Sequence, residues 1–142
     1  MTDSIKFTIP GKPQTKQRAR HGKGFTYTPK ETVANEKMVK MIAFEAMQGK
    51  TPFQGGIRLQ IDSYHAIPSS VSKKKIPDAL RGFFKPLTKP DLDNIIKQVS
   101  DACNGVVYKD DNQIYSINAM KYFSETPRIQ VVIFHNPEVS IK

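Results

Sequence analysis

The segment Lys89-Pro-Asp-Leu-Asp-Asn-Ile-Ile-Lys-Gln-Val-Ser-Asp-Ala-Cys-Asn-Gly-Val-Val-Tyr-Lys-Asp-Asp-Asn-Gln113 decides how this chain is built. Ile95, Ile96, Val99, Ala102 and Cys103 recur at helical spacing, Gly105 suits the left-handed backbone that ends a helix, and Asp93 is placed to cap its start. The spacing predicts a helix from about 94 to 104. Val106 to Tyr108 then reads as a short strand, Lys109-Asp-Asp-Asn112 as a turn, and Ile114 to Tyr122 as a longer strand. Asp91, next to Pro90, falls in extended chain, where residues two apart point the same way; inside a helix the two acids would stand about 200° apart. A helix of about 11 residues covers roughly 16 Å, and a short strand at about 3.3 Å per residue runs most of that distance back. Asp91 with Asp93 and Asp110 with Asp111 are therefore expected to meet at one end of a sheet.

Working outward, Ile5 to Ile9 and Ile57 to Ile61 alternate apolar with polar residues, the period of half-buried strands. Pro10-Gly11 stops the first, and the second can run from about 57 to 66, where Pro68 ends it. Thr28-Pro29-Lys30-Glu31 resembles a helix start, and Val33, Met38, Met41, Ile42 and Ala46 continue a helical rhythm to Gly49, predicting a helix near 29 to 48. Ile129 to Phe134 supplies a last strand. The order strand, helix, strand, helix and three strands predicts a single α+β (mixed α/β) domain, a mixed sheet with two main helices packed on it. The 142 residues and 38% hydrophobic content suit one domain with one core.

Twenty-two Lys and Arg against thirteen Asp and Glu leave a net charge of +9, which favours a polyanion as partner. The cations collect in two stretches. From 12 to 30 stand Lys12, Lys16, Arg18, Arg20, His21, Lys23 and Lys30, interleaved with Gly22, Gly24, Phe25 and Tyr27, as in a basic loop or ribbon. From 69 to 89 stand Lys73, Lys74, Lys75, Arg81, Lys85 and Lys89 among prolines, with a short helix expected around Pro77 to Phe83. Lys12, Lys16, Arg18, Arg20, Lys73, Lys74, Lys75 and Lys89 are the candidate DNA-binding residues, although a run of charge is also what a solvated face looks like. Phe25, Tyr27 and Phe83 suit stacking on bases as well as packing in a core. No apolar run approaches the roughly 18 residues of a membrane span, and no signal-peptide pattern opens the chain, so a cytoplasmic protein is expected. Cys103 has no partner for a disulfide or a zinc site and reads as a small buried hydrophobe. His21, His65 and His135 are far apart in sequence and read as structural or surface residues.

Against that basic background the paired aspartates stand out. Clustered carboxylates would repel a polyanion unless a hard divalent cation lay between them, and the combination points to metal-dependent nuclease chemistry. Each pair also has a plainer reading, a helix cap for the first and a solvated turn for the second. Lys97, four residues after Asp93, suits either an intrahelical ion pair worth about 0.3 kcal/mol or an ammonium beside a scissile phosphate. A non-catalytic DNA-binding or architectural protein would need only the basic stretches and would leave the aspartates without a role.

Lys89-Pro-Asp-Leu-Asp-Asn-Ile-Ile-Lys97, Asp101-Ala-Cys-Asn-Gly105 and Val107-Tyr-Lys-Asp-Asp-Asn-Gln113 together resemble the core of the RusA family of Holliday junction resolvases. Gly11-Lys-Pro-Gln-Thr-Lys16, Arg18, Arg20 and Phe25-Thr-Tyr-Thr-Pro29 are similar to that family's N-terminal pattern. The resemblance implies a homodimeric endonuclease that uses Mg²⁺, with Mn²⁺ as a substitute, to cut four-way junction DNA in recombination and repair. It carries metal-binding, catalytic carboxylates onto Asp91, Asp93 and Asp111 and an essential lysine onto Lys97; Asp110 matches a further acidic position. A substrate with two symmetric strands to cut suits a two-fold dimer. The stretch from 69 to 89 is longer than in shorter family members, which bears on substrate choice, where other branched DNAs are the alternative.

Overall fold

The strict alternation in three apolar segments builds three adjacent strands whose odd-numbered residues all face one way. The computed structural model describes residues 3–15, 20–27 and 30–140, without the side chains of Arg20 and Tyr27. Lys16, Arg18 and the expected helix start at Thr28-Pro29 lie outside the described residues. β1 (Asp3–Pro10), β4 (Gly56–His65), β5 (Ile114–Phe123) and β6 (Arg128–Asn136) form one sheet in the order β1-β6-β4-β5. β6 is antiparallel to both β1 and β4, and β4 is parallel to β5, so the sheet is mixed. β2 (Arg20–Gly22) and β3 (Phe25–Tyr27) pair separately as an antiparallel ribbon inside the first basic stretch.

Helices cover one face of the sheet. α1 (Lys30–Met47) buries Val39, Ala43 and Met47, a four-residue repeat on one face. α3 (Leu92–Cys103) buries Ile95, Val99, Ala102 and Cys103. These meet Ile5, Phe7, Ile9, Ile57, Leu59, Ile61, Ile129, Val131 and Ile133 in one core. α2 (Ile76–Leu80) is a single short helix within the second basic stretch, entered through a 3₁₀ turn at Lys73–Lys75. The α+β architecture with one main mixed sheet matches the expectation from the strand and helix order, with α2 and the β2–β3 ribbon beside the two main helices. Among the described residues no helix is long and apolar enough to cross a membrane.

Two local expectations are corrected. α3 begins two residues early: Asp91, with φ −65° and ψ 148°, is the N-cap and Asp93 lies in the first turn. The Asp91 carbonyl already accepts from the Ile95 amide, while its side chain makes no capping bond. Asp91 and Asp93 are thus not two residues of one extended segment. The expected strand at Val106 to Tyr108 is a tight turn, because the Val106 and Val107 amides both donate to the Cys103 carbonyl and the Gly105 amide donates to the Tyr108 carbonyl. Gly105 sits at φ +78°, a conformation that a residue with a Cβ rarely adopts. In place of a strand ladder, Tyr108 makes isolated β-bridges to Phe53 and Asn104, and the Phe53 amide donates to the Val107 carbonyl.

Candidate active site

The turn after α3 sets where the acids lie. Because the chain folds back at once instead of running the length of α3 as a strand, the Asp110-Asp111 turn is delivered beside the C-terminal half of the helix. Tyr108 locks this arrangement: its ring is buried and its hydroxyl donates to the Ser100 carbonyl at 2.6 Å. Burial, with smaller contributions from Cys103, Asp111 and Asp101, pushes the phenol far above its ordinary value, so it stays a donor. Asp110 caps a short 3₁₀ turn, its carboxylate accepting from the Asn112 amide at 3.1 Å while Gln113 Oε1 accepts from the Asp110 amide at 2.9 Å. Gln113 Nε2 also donates to the carbonyls of Phe53 and Gly55, which ties the acidic turn to the start of β4.

Asp111 itself is exposed at the head of β5. Its carboxyl is raised above the ordinary value, first by a hydrogen bond to Asp110 and then by desolvation and the charges of Asp110 and Asp101, while Lys97 works in the opposite direction. Asp111, Asp110, Asp101 and Lys97 therefore act on one another electrostatically. Lys97 reaches this group from the exposed side of α3, one turn after Asp93. Asp101 lies outside the two acidic pairs, and its signal in the sequence is the repeat Asp93, Lys97, Asp101 at four-residue spacing, one polar stripe opposite the buried Ile95 and Val99.

Asp91 and Asp93 stand at the other end of α3, both exposed, with the Asp93 carboxylate accepting from the Asn94 amide at 2.9 Å. The segment leading into them is held from β5, since Lys121 Nζ donates to the carbonyls of Thr88 at 2.6 Å and Pro90 at 3.0 Å. Among the described residues no three His, Cys, Asp or Glu side chains come close enough together to hold an ion. α3 carries Asp91 and Asp93 at its start and Lys97 one turn on, and the charge of Lys97 is felt at Asp111. The donor set still suits a hard cation. Every candidate is an exposed carboxylate, and Mg²⁺ is held by one or two carboxylates with water and substrate phosphates completing its shell.

Comparison with known proteins bears on the same segment. The family model of Endodeoxyribonuclease RusA matches residues 10–134. The chain belongs to the RusA family. A Bacillus subtilis (strain 168) protein named "Uncharacterized protein YqaN" is 36% identical over 137 residues, covering 92% of this chain and 96% of that protein. As a RusA-family member the chain falls among the endodeoxyribonucleases, and the matched span includes Asp91, Asp93, Lys97, Asp110 and Asp111.

The basic stretches are placed unevenly. Lys12 is exposed, and the Lys12–Thr15 segment is anchored by Gln98, whose Nε2 donates to the Gln14 carbonyl and to Asn94 Oδ1 while its Oε1 accepts from Asn35. Gln98 thus connects α1, α3 and the root of the basic ribbon. Lys73, Lys74, Lys75 and Lys89 are exposed on the second stretch. Phe25 and Phe83 are 60% and 71% exposed, which sets them outside the core. The remaining sequence candidates are structural in their contacts. Cys103 is buried, and burial pushes its thiol up to about 12. His21 lies 3.2 Å from Thr26 Oγ1, His65 lies 2.8 Å from Ser63 Oγ, and His135 stacks on Phe53 with ring centroids 4.4 Å apart.

Proposed function

We propose that this chain is a Mg²⁺-dependent endonuclease that resolves four-way DNA junctions as a homodimer, by paired, symmetric phosphodiester hydrolysis. What carries the reading is the RusA-family match across the segment that sets exposed carboxylates along α3 and at the head of β5. Asp91, Asp93 and Asp111 would hold Mg²⁺, with Asp110 supporting Asp111, and Mn²⁺ would serve in its place. When bound, the ion supplies Lewis acidity, offsetting phosphate charge and making water acidic enough to attack near neutral pH.

The chain's own residues do the rest. The Asp110 carboxylate is already committed to its own turn through the Asn112 amide, which leaves the exposed Asp111 carboxylate to face the ion. Lys97 holds a phosphate oxygen beside the acids, where a positioned ammonium stabilises the charge that develops in the transition state. Lys12, Lys16, Arg18 and Arg20 on the first stretch, with Lys73, Lys74, Lys75 and Lys89 on the second, grip backbone phosphates and supply salt-dependent affinity.

The test is cleavage of a four-way junction beside a linear duplex and a flap, with and without Mg²⁺. Paired nicks confined to the junction, absent in Asp91→Asn although that variant still binds, are the expected result. Equal cutting of the flap moves the activity to another branched substrate. Junction binding with no cutting in Mg²⁺ or Mn²⁺ refutes the enzyme and leaves an architectural protein.

A further inference from the structure

The face of the sheet turned away from α1 and α3 is covered by neither of them, and charged, polar and aromatic side chains are mixed across it. Cross-strand register places Ser4, Phe134, Arg58 and Ser116 in one row, then Lys6, Val132, Gln60 and Asn118, then Thr8, Gln130, Asp62 and Met120, then Pro10, Arg128, Tyr64 and Tyr122. Lys85 reaches onto the last row, its Nζ 4.6 Å from the centre of the Tyr122 ring. Lys6, Arg58, Arg128 and Lys85 are thus set against the single carboxylate of Asp62.

Three of these cations are oriented. Arg58 lies over Phe134 at 5.0 Å and Arg128 over Tyr64 at 3.9 Å, and Tyr64 stacks on Tyr122 at 5.3 Å beneath Lys85. All three cation–π pairs among the described residues lie on this one face. A cation seated on a ring keeps its outward N–H groups free and loses little further freedom when it meets an anion. From Arg58 to Tyr64 the face runs about 20 Å along β4, roughly the span of six phosphates on one strand of a duplex.

The face is also joined to the candidate active site. The chain that places Lys85 over Tyr122 continues round the edge of β5 to Thr88 and Pro90, whose carbonyls are held by Lys121 on the helical face, and Asp91 follows. A backbone lying on the open face therefore leads round that edge to the start of α3.

We infer that the open face of the sheet is a second DNA-contact surface, which takes the phosphate backbone of a duplex arm through Lys6, Arg58, Lys85 and Arg128. The excess of positive charge selects DNA over a second copy of the same face. The inference rests on the nuclease reading for the branched shape of the ligand, not for the contact itself.

The test is fluorescence anisotropy on a four-way junction and on a linear duplex, in EDTA across a salt series, comparing wild type with Lys6→Gln/Arg58→Gln/Lys85→Gln. Arg128 is left in place because it also donates to Ser124 Oγ and the Thr126 carbonyl. The log–log salt slope is expected to flatten by about 2 to 3 on both DNAs, while Lys37→Gln/Lys40→Gln on α1 leaves it unchanged. If the triple variant changes the circular dichroism spectrum, Arg58→Gln alone is read, for a flattening of about 1. An unchanged slope in a folded variant overturns the inference, as does failure of the wild type to bind either DNA. A change in sedimenting mass without a change in slope also overturns it and assigns the face to a second copy. A flattened slope in a protein that never cuts a junction keeps this surface and removes the proposed enzyme.

Discussion

Acidification from pH 7 to pH 5 should weaken the fold through a residue far from the proposed chemistry. His65, at the end of β4, is buried, and its Nε2 lies 2.8 Å from Ser63 Oγ. Desolvation first, and the positive charge of Lys121 second, lower its pKa from 6.5 to about 4. Because the folded value is depressed, the unfolded chain takes up a proton between these two values and the native protein does not. The stabilisation is full above pH 6.5 and is lost as the pH falls toward 4. Proton linkage over that window gives a loss of about 2 kcal/mol by pH 5, approaching about 3 kcal/mol near pH 4. Urea unfolding at pH 7 and pH 5 measures it, with His65→Asn run alongside to subtract the carboxylates that titrate in both proteins. The wild type should lose about 2 kcal/mol more than the variant between the two pH values. Equal losses, or an imidazole that titrates near 6.5 by NMR in the folded protein, would refute the reasoning.

Further predictions follow from the contacts around α3. Tyr108→Phe removes the donor to the Ser100 carbonyl and should cost about 1 to 2 kcal/mol in urea unfolding, with junction cutting reduced because the Asp110-Asp111 turn loses its register on the helix. Ile95→Ala, at a fully buried position, should cost about 2 to 5 kcal/mol and leave junction cleavage per folded molecule intact. Gln98→Leu unties the Gln14 carbonyl and should weaken junction affinity while single-turnover cutting at saturating protein is retained; an equal fall in both would refute its role as an anchor of the ribbon. Cys103 should be unreactive toward a thiol reagent at pH 8 in the native state and react at the rate of unfolding, whereas rapid native labelling would contradict its burial.

The strands were legible because period-two alternation is imposed wherever one face of a sheet meets a core. Ile5, Phe7 and Ile9, or Ile57, Leu59 and Ile61, could not have been written otherwise for this architecture. The start of α3 was misplaced by two residues because Asp91 and Asp93 are equally good caps by composition, and only the bond from the Ile95 amide to the Asp91 carbonyl separates them. Val106, Val107 and Tyr108 have strong strand preference, yet Gly105 at φ +78° turns the chain before a strand can pair. That single turn places Asp111 within reach of the charges of Lys97 and Asp101, so the candidate acids were legible as residue types and their neighbours were not. The cation–π face was not legible at all: Arg58, Tyr64, Tyr122 and Arg128 come together only once the register of β4, β5 and β6 is fixed.

The two donations from Lys121 have a bearing on how the protein survives in a crowded cell. β5 is paired on one side only, and a strand edge left bare is a template on which another chain can add and begin an aggregate. The Lys85–Pro90 segment meets the end of β5, where Lys121 holds the carbonyls of Thr88 and Pro90 and Lys85 lies over Tyr122, so the stretch that leads to Asp91 also stands beside that part of the edge. Loosening it, for instance by Lys121→Met, should promote self-association at the same time as it misplaces Asp91. Selection on solubility and selection on catalysis would then act through a single side chain.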